Sequence, residues 1–223
     1  MYIQINGVKL YYDKIGSGPP LVLAHGNSDN HHIFDTLSLK LTKHFTMYLL
    51  DSRDHGLSEK TGAWSYEAMA ADLDGFIAAL GLEPVNFLGF SDGAIVGLLL
   101  GLRRPTALKR MALLGANLSP ADFTEEAVVF LRQLGRKVNS PIFQMIFEEP
   151  HIELESLKNI PTPCLVVAGE KDLFKPEVTP AIANTLPNAR LLIVKGHDHI
   201  SYIVYNDLLY KDLLKFFRSS LTR

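Results

Sequence analysis

The chain has 223 residues, 47% of them hydrophobic and 21% charged, a balance that suits one well-buried globular domain and is short for two. A formal net charge of −2 supplies no basic field to attract nucleic acid or an anionic membrane, and the single cysteine, Cys164, has no partner for an intramolecular disulfide. The N-terminus carries no basic leader, and the longest apolar run, Ala94 to Leu102, is about half of what a membrane span requires, so a soluble cytoplasmic protein is expected.

"MYIQINGVKLYYDK" alternates apolar and polar residues around Asn6-Gly7, which predicts a hairpin closed by a type I′ turn. "GSGPP" ends it. Six more short runs are dense in apolar residues: "LVLAHG" (21–26), "FTMYLLD" (45–51), "VNFLGF" (85–90), "LKRMALLG" (108–115), "PCLVVAG" (163–169) and "ARLLIVKG" (189–196). Strands apolar on both faces belong to a parallel sheet covered by helices, and Cys164 falls inside one of them as a core residue. Helical patterns separate these strands at His32–Thr42, Ser65–Leu80, Asp92–Leu102, about Val178–Leu186 and Tyr202–Leu221. The expected class is therefore α/β, with a mainly parallel sheet, an antiparallel hairpin at one edge and helices on both faces. Residues 117–160 break the alternation with two amphipathic segments, "TEEAVVFLRQLGRKV" and "SPIFQMIFEE", and no strand. An insertion beyond the carboxyl ends of the strands lies where open α/β sheets bind ligands, so 117–160 is a candidate helical cap within a single domain spanning 1–223.

The chemistry centres on "GFSDG", residues 89–93, at the seam between a strand and a helix. A G-x-S-x-G sequence in that setting holds a serine on a tight turn with its hydroxyl clear of the sheet, which makes Ser91 a candidate nucleophile. A serine hydroxyl is a poor nucleophile until a base and an orienting carboxylate act on it. "VVAGEKDLF" offers Asp172 three residues after Gly169, with Glu170 as competitor, and "VKGHDHISY" offers His197 and His199. "LAHGNSDN" places the Asn27 backbone N–H in a loop that should face the serine, where it and the Asp92 N–H would form an oxyanion hole. His25, at a strand end, reads as structural, and His31-His32 as surface residues opening a helix. His197, Asp198 and His199 are too few for a metal site without further ligands nearby, so neither a metal nor another cofactor is expected.

Serine, then aspartate, then histidine is the chain order of the α/β-hydrolase triad, and "HGN", "DSRDHGLS", "GFSDG", "GEKD" and "GHDH" together resemble that superfamily over nearly the whole chain. The Ser-Asp-Gly elbow is similar to that of the biphenyl-hydrolase-like esterases. "DSRDHGLS" departs from many members in having Asp54 where they have glycine. The resemblance implies Ser91 as nucleophile, Asp172 as orienting acid and, because the family's base lies a few residues past the last strand, His199 rather than His197. It implies hydrolysis of a small acyl substrate, an ester before a thioester, lactone or activated amide. A serine at the elbow argues against the dehalogenases and epoxide hydrolases of the superfamily, which use aspartate there. The alternative is a ligand receptor on the same fold, against which the filled triad positions weigh. The apolar side chains of the cap, Phe143 and Phe147 among them, exceed what isolated surface helices need, which leaves an acyl pocket and a homodimer contact both open as their use.

Overall fold

The structure is a computed structural model describing residues 1–138 and 140–219. It opens with a hairpin of β1 (Tyr2–Ile5) and β2 (Val8–Gly16), in which Ile5 faces Val8. Asn6 and Gly7 stand at φ of 50° and 80°, the two positive angles that a type I′ turn needs. There follow β3 (Pro20–Ala24), α1 (Asp35–Leu41), β4 (Thr46–Leu50), α2 (Tyr66–Ala79), β5 (Val85–Phe90), α3 (Asp92–Arg103), β6 (Leu108–Leu114), α4 (Glu125–Val138), β7 (Cys164–Lys171), α5 (Val178–Thr185), β8 (Ala189–Asp198) and α6 (Tyr210–Arg218). The eight strands form one sheet in the order β1-β2-β4-β3-β5-β6-β7-β8. Pairing is antiparallel from β1 through β2 to β4 and parallel from β4 onward.

Strand periodicity divides the core. Val22, Phe87, Met111 and Leu113 point into a cluster with α2, α3 and α5, whereas Leu21, Leu23, Leu88 and Leu114 join α1 and α6 on the other face. Covered on both sides, these strands need apolar residues at every position, which is why they read as continuous runs. Cys164 is buried, and burial pushes its thiol up to about 12, an inert core residue.

The expected elements are present, with some ends shifted (β3 closes at Ala24, not Gly26, and α1 opens at Asp35, not His32), and four differences matter further. β7 and β8 each run two residues past their predicted ends, and Lys171 pairs with Asp198 there. Asp172 and His199 are thus the first residues beyond two adjacent strands. The helix expected from Tyr202 begins only at Tyr210, because Tyr202 and Ile203 turn into the core and Tyr205 takes φ 48°, which no helix continues; the expected end at Leu221 lies outside the described residues. The first amphipathic segment of 117–160 forms α4, but the second is a 3-10 helix, Pro141–Phe147. Finally, His31 is buried in a 3-10 turn, not on the surface: its backbone N–H and Nδ1 both meet Asp51 Oδ1 at 2.8 Å, while His32 is exposed as expected. No helix among the described residues is long and apolar enough to cross a membrane.

Candidate active site

Ser91 occupies the single residue between β5 and α3, at φ 52° and ψ −115°, a conformation that a residue with a side chain adopts only under constraint. The constraint comes from both neighbouring segments. The Ser91 N–H donates to Leu114 O at 2.8 Å, and its carbonyl accepts from Ala94 and Ile95. A Cβ on Gly89 would stand 2.2 Å from Gly93 O, and one on Gly93 would stand 2.2 Å from Ala24 O. Only glycine lets the elbow turn this sharply while α3 lies against the end of β3.

Asp172 and His199 reach Ser91 from the ends of β7 and β8. His199 Nδ1 lies 2.6 Å from Asp172 Oδ1, and Nε2 lies 3.1 Å from Ser91 Oγ. Asp172 is fixed in turn by the Gly169 N–H on Oδ2 (3.1 Å) and the Leu173 N–H on Oδ1 (2.8 Å). The imidazole, 7% exposed, rests against the rings of Phe90 and Phe174 and leaves no room for a side chain at Gly115, whose Cβ would fall 2.6 Å from Cε1. The competitors face elsewhere. Glu170 accepts the exposed Gly196 N–H, and His197, still within β8, points Nδ1 at Ser201 Oγ.

The loop after β3 passes close to the nucleophile, a Cβ on Gly26 standing 3.1 Å from Ser91 Cβ. Among the described residues neither the Asn27 nor the Asp92 backbone N–H donates to an acceptor. Two free N–H groups flanking a serine are what an oxyanion hole requires. The Asn27 side chain is occupied, with Nδ2 donating to Asp92 Oδ2 (3.0 Å) and to Ile142 O (3.2 Å). Asp92 Oδ1 accepts from the Tyr66 hydroxyl at 2.8 Å. Burial pushes the Asp92 carboxyl up to about 6 against the pull of those two donors, and burial also raises Asp29 to about 6.

These groups open into a cavity of about 320 Å³ that has Ser91, His199, Asn27 and Asp92 on one side. The other side comes from residues 117–160, chiefly Phe123, Phe130, Leu131, Leu134, Phe143 and Ile146. Phe147 is not among the lining residues. It sits in a shallow groove on the outer side of α4, with the Arg132 guanidinium 4.9 Å from its ring centre. Tyr66, Asp29 and Glu149 also line the cavity and carry no motif. Tyr66 stands at the start of α2, where nothing in the sequence sets it apart from the other apolar positions of that helix.

The sequence pattern of the alpha/beta hydrolase fold matches residues 19–136. The chain belongs to that family. The match runs from β3 to α4, so it takes in the Ser91 elbow and ends before Asp172 and His199, which the geometry alone brings to the serine. Among curated relatives, ethanol acetyltransferase 1 of Wickerhamomyces anomalus is 28% identical over 182 residues, 78% of this chain and 39% of that protein. Serine hydrolase BPHL of Homo sapiens is 26% identical over 210 residues, 78% of this chain and 70% of that protein. The chain spans only 29% to 39% of the length of three of the curated relatives that it matches. The solved enol-lactonase of Burkholderia xenovorans LB400 superposes with a TM-score of 0.81 over 98% of this chain and 100% of its own, at 23% identity, a likeness of fold.

Proposed function

We propose that this hydrolase-fold chain is a serine esterase that works through an acyl-enzyme on small carboxylic esters, with thioesters, lactones and activated amides as related substrates. One observation carries the reading: a continuous line of hydrogen bonds from Asp172 through His199 to Ser91 Oγ, ending at the mouth of a cavity. In this reading His199 Nε2 takes the hydroxyl proton as Oγ attacks the carbonyl carbon, while Asp172 holds the other ring nitrogen protonated and stabilises the imidazolium. The Asn27 and Asp92 N–H groups hold the oxyanion. The same imidazolium then protonates the leaving alcohol, and water, deprotonated by His199, releases the acid and restores Ser91. Residues 117–160 act as the cap that walls the acyl site. Steady turnover of p-nitrophenyl acetate and fluorophosphonate labelling of Ser91 test the proposal. Ligand binding without turnover or label would favour a receptor on this fold instead.

The cavity volume sets chain length. At about 320 Å³ it suits short to medium acyl groups, and each methylene that fits adds up to about 0.8 kcal/mol, roughly fourfold in kcat/KM. Phe143→Ala is expected to move the optimum among p-nitrophenyl esters, acetate to palmitate, to longer chains by one or more steps. Phe147→Ala should leave the profile where it is, because that ring lies outside the cavity. An unchanged profile in the Phe143 variant would remove this wall from the acyl site.

A further inference from the structure

Two buried histidines outside the triad brace the loop that supplies the Asn27 N–H. His25 follows β3, and its Nδ1 lies 2.7 Å from Gly26 O while Nε2 accepts the Ser52 N–H at 3.1 Å. His55, in the turn at 51–58, has Nδ1 2.9 Å from Arg53 O and accepts the Ser28 N–H on Nε2 at 3.0 Å. Carbonyl oxygens only accept, so both rings carry their proton on Nδ1 and present an unprotonated Nε2. The rings meet edge to face with centroids 5.0 Å apart, which cross-links residues 25–28 to residues 52–55. Asp51, fully buried, anchors the second segment by accepting the Leu57 N–H and both His31 donors.

We propose that His55 is a positioning residue for the oxyanion hole: by holding the Ser28 N–H it turns the Asn27 N–H, one peptide earlier, toward the cavity. This rests on the hydrolase reading above. Ser28 stands at φ 60°, in the left-handed region where serine is uncommon, so local preference does not set this turn and an outside contact must. The donor's own peptide, Gly26 C=O to Asn27 N–H, is tied through its oxygen, which accepts from His25 Nδ1 at 2.7 Å and from the Asp29 N–H at 3.3 Å, while the Asn27 side chain bonds Asp92, Ile142 and the Ser28 hydroxyl. Among the described residues the His55 bond is the one that holds the following peptide, through the Ser28 N–H, and so sets its angle to the donor's peptide. Burial pushes both imidazoles below the usual histidine range, His25 to about 3, which keeps them the neutral acceptors that the geometry requires.

The test exchanges which half of the imidazole is retained. In His55→Gln the amide oxygen reaches the place of Nε2 and can still accept from Ser28; in His55→Asn the amide reaches only the place of Nδ1 and retains the Arg53 bond alone. The glutamine variant should keep kcat near wild type. The asparagine variant should lose about 10- to 100-fold in kcat, with KM little changed and trifluoromethyl ketone affinity falling by the same factor. Equal activity in the two variants, or a loss confined to KM and thermal stability, would overturn the proposal. In wild type, NMR should show a scalar coupling across the Ser28 N–H to His55 Nε2 bond, and its absence would overturn the proposal however the variants fold. A wild type with neither ester turnover nor a labelled Ser91 sinks the hydrolase reading and this one together. An active wild type with no glutamine–asparagine contrast sinks this one alone.

Discussion

Ser91→Ala is expected to lower kcat for p-nitrophenyl acetate about ten-thousand-fold or more and to abolish fluorophosphonate labelling, with little change in melting temperature. The substitution removes one oxygen from the cavity wall. It keeps the Cβ, so the backbone at φ 52° is no more strained than before, and among the described residues the one hydrogen bond lost is the 3.1 Å contact to His199. His199→Ala should cost a comparable factor, since it removes the acceptor for the hydroxyl proton. The two changes together should cost hardly more than either alone, because residues that act as a unit are not additive. His197→Ala should change kcat by less than about threefold, as its ring is turned to Ser201 instead. Rate assays on the four variants, with melting curves to show that each is folded, check the set. A fully active Ser91 variant, or a larger loss at His197 than at His199, would end the assignment.

The sequence showed the elbow and its partners because each is marked by backbone geometry as well as by residue type. Gly89 and Gly93 are required by approaches of 2.2 Å to neighbouring backbone, so the pattern around Ser91 reports a real turn. His199 could be preferred to His197 by distance from the strand end, and the extra pairing of Lys171 with Asp198 gives the reason: His197 is still held in β8, where alternate side chains leave the site. The walls of the cavity were not legible in the same way. Phe143 and Phe147 are both apolar and four residues apart, and their rings meet edge to face with centres 6.4 Å apart, yet Phe143 reaches the cavity while Phe147 stops at the outer groove beneath Arg132, a difference that residue type does not encode. His31 and His32 look alike in sequence. What separates them is Asp51, twenty residues on, which only the sheet brings into reach. Tertiary partners of this kind leave no periodic trace.

Asp92→Asn is expected to stabilise the fold near neutral pH and to flatten its dependence on pH between about 4 and 6. The carboxyl, 5% exposed, accepts from Tyr66 and Asn27, yet burial still holds it up at about 6. A carboxyl raised in the folded state binds its proton more tightly there than in the unfolded chain. Stability from this group therefore falls as pH rises from the unfolded value near 4 to about 6, and the full loss is present above that. Two units correspond to at most about 3 kcal/mol. Asparagine cannot ionise and so escapes the loss. It also turns one of the two acceptors that face Tyr66 and Asn27 into a donor, a mismatch of about 1 kcal/mol, leaving a net gain of about 2 kcal/mol at pH 7.5 and a net loss of up to about 1 kcal/mol at pH 4. Urea titrations of both proteins across that range read the difference directly; a constant offset at every pH would show that folding does not raise the carboxyl. The cavity lining contains Asp29, Asp92 and Glu149 and, among the described residues, neither Lys nor Arg. Esters bearing a free carboxylate should therefore be poor substrates of the wild type, and Asp92→Asn should narrow their disadvantage against neutral esters of the same length.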